Sequence, residues 1–118
     1  MSVFMRPTVA LLSLTLFLTG CSDPPDPERA RSVLPESERL QTLYQQSCQG
    51  CHARPGTGAP LTAHPSQWAA RLNKGMDRLV ESVVRGYGAM PPGGQCLECD
   101  RSDHRALIRF MSGSGGDA

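Results

Sequence analysis

The chain has 118 residues, 39% apolar and 19% charged, with twelve Lys and Arg against eleven Asp and Glu, five cysteines and three histidines. That length suits one domain. Because Arg6 is the only basic residue before Cys21, the side chains from Cys21 onward sum to zero formal charge, which leaves no basic field for nucleic acid or an anionic surface, so no nucleic-acid partner is expected.

In chain order, Met1 to Arg6 form a short, singly charged start, followed by the apolar run Val9 to Leu18. The run is too short for a membrane span and reads as a secretory signal over residues 1–20. It ends in Leu18-Thr19-Gly20-Cys21, which looks like the lipobox of bacterial lipoproteins. The expectation is cleavage before Cys21 and lipidation of its thiol; the alternative is an ordinary signal that a cysteine happens to follow. Residues 21–35 are rich in proline and charge and lack an apolar face. They read as an extended linker, at roughly 3 Å per residue, between a lipid anchor and the domain.

The domain is expected over residues 36–112. A first helix spans about Glu36 to Cys48, with Pro35 suited to its first turn and Leu40, Leu43, Tyr44 and Ser47 on one face. A Pro- and Gly-rich loop follows from Arg54 to His64. Pro65 opens a short helix with Trp68 and Leu72 one turn apart. A third helix, Met76 to Arg85, carries the stripe Met76, Leu79, Val80, Val83 and Val84, with Gly86 as its C-terminal stop. Glycines and prolines break up residues 86–100. The last helix starts near Ser102 or Asp103, with Ala106, Leu107, Phe110 and Met111 together, and residues 113–118 form a tail disordered by composition. Nothing alternates like a strand, so the fold class is all-α, with about four short helices.

The chemistry lies in Cys48-Gln49-Gly50-Cys51-His52. Two thiols at this spacing can form thioethers with the two vinyl groups of one haem, while the adjacent imidazole reaches the iron. Cys-x-x-Cys alone also suits a redox disulfide or half a zinc site, but His52 and the absence of zinc-finger histidine spacing favour one covalent haem c. Met90 is the best sixth ligand. It lies in Gly88-Ala89-Met90-Pro91-Pro92, where two prolines stiffen the loop that presents its sulfur. Met76 and Met111 sit in apolar stripes, where methionine is a packing residue. His64, in the loop after the haem motif, is the rival donor, and His104, among charged residues, has a solvated surface as its default. Cys96-Leu97-Glu98-Cys99 is a second Cys-x-x-Cys, for which an oxidising compartment permits a disulfide. A thiol–disulfide oxidoreductase reading of this pair lacks the sheet such sites use.

These residues resemble the cytochrome c5 group of class I monohaem c-type cytochromes. The resemblance runs from Leu40 to Met111 and rests on Tyr44 to His52, Gly58-Ala59-Pro60, Trp68 with Arg71, Lys74 to Asp77, and Gly88 to Gly94. It implies a compact helical fold around haem on Cys48 and Cys51, ligation by His52 and Met90, a Pro60 carbonyl that orients His52, and a small disulfide between Cys96 and Cys99. The chain departs from the group at Asp100-Arg101 and at Phe110, where Tyr is frequent.

The expected function is one-electron transfer, not enzyme catalysis, by a monomer that is anchored through Cys21 to a bacterial membrane, faces the periplasm and exchanges electrons with redox proteins there or in the membrane. The alternatives are a haem sensor or peroxidase-like subunit with a labile sixth ligand, and a zinc module built on Cys48, Cys51, Cys96 and Cys99. Arg54 and Arg71 are candidate partners for haem propionates, with a solvated surface as the competing reading.

Overall fold

The computed structural model describes Met1 and residues 24–114, so the signal segment, Cys21 and the final four residues lie outside the described part. Among the described residues six α-helices occur in chain order: α1 (Pro27–Ser32), α2 (Glu38–Ser47), α3 (Gln49–His52), α4 (Pro65–Leu72), α5 (Met76–Arg85) and α6 (Arg101–Ser112), with a 3₁₀ turn at Pro92–Gln95 before α6. Among the described residues there is no strand; the one extended pairing is an isolated bridge between Tyr87 and Met90.

The helix starts follow cap chemistry. Ser37, not Pro35, begins α2: its hydroxyl accepts from the Leu40 N–H at 3.5 Å. α6 starts slightly earlier than apolar spacing indicates, because Asp100 and Asp103 form a reciprocal capping box. Asp100 Oδ1 accepts from the N–H groups of Ser102 and Asp103, at 2.7 and 2.8 Å, and Asp103 Oδ2 accepts from the Asp100 N–H at 3.0 Å. Asp103 Oδ2 also accepts from Arg39 Nη2 at 2.7 Å, tying α2 to α6.

The core is where α2, α4, α5 and α6 meet. Leu43, Tyr44, Trp68, Leu79, Val80, Leu107, Ile108 and Met111 are buried in one cluster. Tyr44 packs edge-on against Phe110 with ring centroids 5.0 Å apart, and its hydroxyl donates to buried Thr62 Oγ1 at 3.0 Å. Met111 is 3% exposed within this cluster, as its stripe predicts.

Part of the expected linker is folded. Asp26 caps α1 by accepting from the Arg29 N–H at 3.0 Å, and Pro27 stands at the first helical position. Ala30 is fully buried against Ala53 and Leu61, and Gln49 Nε2 donates to the Arg31 carbonyl. Six residues are too few to show an apolar stripe. A single alanine, small enough to let a helix lie close on the domain, replaces it.

Candidate functional site

The site begins at the end of α2, where the chain makes the single turn α3. His52 N–H donates to the Cys48 carbonyl at 2.9 Å and Ala53 N–H to the Gln49 carbonyl at 3.0 Å. Residues three apart share a helix face, so Cys48 and Cys51 present their thiols on one side with His52 beside them. Both cysteines are unpaired; Cys48 is half-buried and Cys51 exposed. Burial, and then the neighbouring Cys51, push the Cys48 thiol up to about 11, so it is a neutral thiol at neutral pH.

His52 is held from several directions. Its Nδ1 lies 2.8 Å from the Pro60 carbonyl. A carbonyl can only accept, so Nδ1 carries the proton and the Nε2 lone pair is left for a metal. Burial keeps His52 below the ordinary histidine range despite the Pro60 bond, and the nearby Arg71 charge lowers it further; the ring is therefore neutral, as a ligand must be. Trp68 stacks on it with centroids 5.7 Å apart and planes inclined by 21°.

Residues 60–62 have their polar groups tied down as well. The Leu61 carbonyl accepts from Trp68 Nε1 at 2.8 Å, and the Leu61 N–H donates to Gln67 Oε1 at 2.9 Å. The Thr62 N–H donates to the His52 carbonyl at 2.8 Å. One short segment thus grips both the ring and the backbone of His52, an outer support of the kind that orients metal ligands.

Met90 comes from the loop between α5 and the 3₁₀ turn. Tyr87 and Met90 exchange both backbone hydrogen bonds, at 3.0 and 2.9 Å, closing a tight turn over Gly88 and Ala89. Pro91 is extended, as its ring and position predict. Gly94 is buried with φ +60°, and a β-carbon there would stand 3.1 Å from Met90 Cε, so a side chain at this position would press on the methionine methyl. Met90 is half-buried.

The two other histidines do not fit the roles expected of them. His64 is 2% exposed and both its ring nitrogens are engaged: Nδ1 donates to the Thr62 carbonyl at 2.9 Å, and Nε2 accepts from the Asp26 N–H at 2.6 Å. Its task is to dock α1, and no lone pair is left for iron. His104 is 7% exposed rather than solvated, because the helix that carries it turns it inward toward the Gly93 carbonyl. Arg71 is half-buried near His52 and donates to the Gln67 carbonyl, whereas Arg54 is exposed beside Arg31 at a hollow of about 360 Å³ next to α1.

Cys96 and Cys99 form a disulfide. That bond removes the four-thiolate zinc module, since half its donors are consumed, and among the described residues no three His, Cys, Asp or Glu side chains converge as a metal site of their own. The remaining donor set, two free thiols and a neutral imidazole with an available Nε2, fits covalent haem. Leu72, Met76, Val83 and Val84 are only partly covered where they pack on the core, which leaves apolar surface of the kind a macrocycle covers.

Residues 35–111 match the family model described as cytochrome c oxidase, cbb3-type, subunit III. Cytochrome c5 of Ectopseudomonas mendocina is 34% identical over 73 residues, which are 60% of this chain and 84% of that protein. A mono-haem ferrocytochrome c from Shewanella putrefaciens superposes with a TM-score of 0.56 at 44% identity, covering 62% of this chain and 90% of that one. A chain of the electron transfer complex of nitrite reductase with cytochrome c gives 0.58 at 33% identity, over 66% of this chain and 95% of that one.

Proposed function

The chain belongs to the c-type cytochromes, matched by the cbb3-type subunit III model over residues 35–111 and by cytochrome c5, and on that footing we propose a monohaem one-electron carrier of the cell envelope with His52 and Met90 as axial ligands. Its relatives are small electron carriers with one covalent haem c, and this chain is an electron carrier of the same kind, not an enzyme.

When bound, the haem supplies the Fe(III)/Fe(II) couple. The protein does the rest. Cys48 and Cys51 are the attachment thiols. His52 offers Nε2; the hydrogen bond to Pro60 fixes the ring and its tautomer, and burial keeps it neutral. Met90 offers a soft sulfur from a loop braced by Tyr87, two prolines and Gly94, so little ordering entropy remains to be lost when it ligates. A thioether donor favours the reduced metal and raises the potential. The observation that carries this reading is the Nδ1 contact to Pro60 at 2.8 Å, which leaves the ligating nitrogen unprotonated.

The protein works in the periplasm as a monomer on a lipid at Cys21. Leu18 to Cys21 support the anchor, and no helix among the described residues is long and apolar enough to cross a membrane. The relative that sits in a complex with nitrite reductase supports redox proteins as partners. With α1 docked on the domain, residues 26–35 are not free linker, so the reach of the anchor is shorter than a linker of fifteen free residues allows.

The test is expression with a c-type haem maturation system, a pyridine haemochrome assay on denatured protein, and spectra of Met90→Ala. Covalent haem with the weak long-wavelength iron–sulfur band, lost in Met90→Ala, is expected. A band that survives the substitution would overturn Met90 ligation, and haem lost on denaturation would overturn covalent attachment.

A further inference from the structure

We propose that His104 is a positioning residue for the sixth ligand: its imidazole clamps the Met90 loop to α6 through the Gly93 carbonyl and so keeps the methionine sulfur from leaving. The inference rests on the Met90 reading above.

His104 Nε2 lies 3.2 Å from the Gly93 carbonyl, three residues beyond Met90. Because a carbonyl only accepts, Nε2 bears the proton and Nδ1 holds a bare lone pair. That Nδ1 is buried with no hydrogen-bond partner in the protein. An unpartnered buried acceptor is destabilising, since it gives up water and gains no bond in return, and an apolar side chain would avoid that cost. Global stability therefore does not account for an imidazole here; the contact to the loop does.

Gly93 is the point at which a clamp acts on Met90. Its carbonyl also accepts from the Cys96 N–H at 3.1 Å, and the Gly94 N–H donates to the Pro91 carbonyl at 2.9 Å. Gly93 and Gly94, with φ +68° and +60°, turn the chain back so that Gly94 meets the Met90 methyl. His104 is the side chain that joins this turn to the interior of α6. Without it, the turn is still held by its own backbone, by its packing on α5 and by the Cys96–Cys99 disulfide, none of which bonds the Gly93 carbonyl to α6.

The experiment uses the holoprotein and titrates imidazole against the long-wavelength iron–sulfur band in wild type, His104→Leu and His104→Gln, with urea denaturation of each. Losing one hydrogen bond on the ligand side is worth up to about tenfold in the ligand-off equilibrium. In His104→Leu the half-saturating imidazole concentration should fall by up to about tenfold while the urea midpoint stays or rises, since the bare Nδ1 is gone. Glutamine, whose amide N–H can replace Nε2, should restore the wild-type titration. Should the leucine variant not fold, His104→Asn, too short to reach Gly93, carries the same expectation for imidazole. An unchanged titration in the variant that lacks the Gly93 contact, or a parallel fall in urea midpoint and imidazole resistance, would overturn the clamp alone. A wild-type spectrum without the band would overturn Met90 ligation and the clamp with it.

Discussion

Replacing Gly86 by alanine should damage the Met90 loop more than any other single added methyl group among the glycines. Gly86 has φ +85° and ψ 154°, a region essentially reserved for glycine. A β-carbon there would also meet the Met90 carbonyl oxygen and the Pro92 nitrogen, both at 3.0 Å, and Pro92 Cδ at 3.2 Å. Two of these atoms are backbone and the third belongs to a proline ring, so none can swing aside.

Gly75 provides the control, because its φ of +92° and ψ of 147° lie in the same region and a β-carbon would find nothing within 4 Å. Gly75→Ala should cost about 2 kcal/mol, the backbone strain alone. Gly86→Ala should add about 2 kcal/mol of overpacking, for about 4 kcal/mol in all. Urea denaturation of the two holoproteins measures the difference, and the iron–sulfur band expected from the proposed Met90 ligation reports whether the loop has moved. Equal losses from the two substitutions, with the band intact in Gly86→Ala, would show that the loop yields at no cost and would refute the account of Met90 as rigidly presented.

Other parts of the fold give separate tests. Ala30→Glu puts a charged side chain where an alanine is fully buried against Ala53 and Leu61, so α1 should detach. Trypsin should then cut after Arg29 or Arg31 faster, with the haem spectrum unchanged; an unaltered cleavage rate would count against docking. Stability should decline in acid. The bond from Arg105 holds the Asp77 carboxyl below the usual carboxylate range, that from Arg101 does so for Glu81, and the Ser102 hydroxyl and Asp103 N–H do so for Asp100. Folded values below unfolded ones mean stability that is complete above the unfolded range, near about 4, and lost as pH falls through the folded values. Urea midpoints at about pH 6 and about pH 3 measure the loss, and added salt should shrink the Asp77 and Glu81 share because both pairs are solvent-exposed.

Residues close together in the chain were readable to different depths. The apolar stripe of Met76 to Arg85 and the stop at Gly86 coincide with α5, and Pro65 opens α4, since spacing, proline and glycine act within a turn or two. The start of α6 was harder. The apolar residues mark only the middle of a helix, whereas Asp100 and Asp103 decide its beginning through a pair of reciprocal bonds. Helix α1 was invisible to periodicity because one buried alanine makes no pattern.

From the sequence alone came the class of chemistry: Cys48, Cys51 and His52 are adjacent in the chain, and the thiol spacing and neighbouring imidazole that covalent haem needs are local properties of five residues. The tertiary structure decided how the histidines are used. His64 reaches Asp26 across 38 positions, and His104 meets Gly93 only because α6 folds back on the loop that precedes it. The network around residues 60–62 likewise assembles only when α3 and α4 pack on either side of the segment joining them. How each imidazole is held depends on which atom faces each ring nitrogen, and those facing atoms are brought together by packing between distant segments.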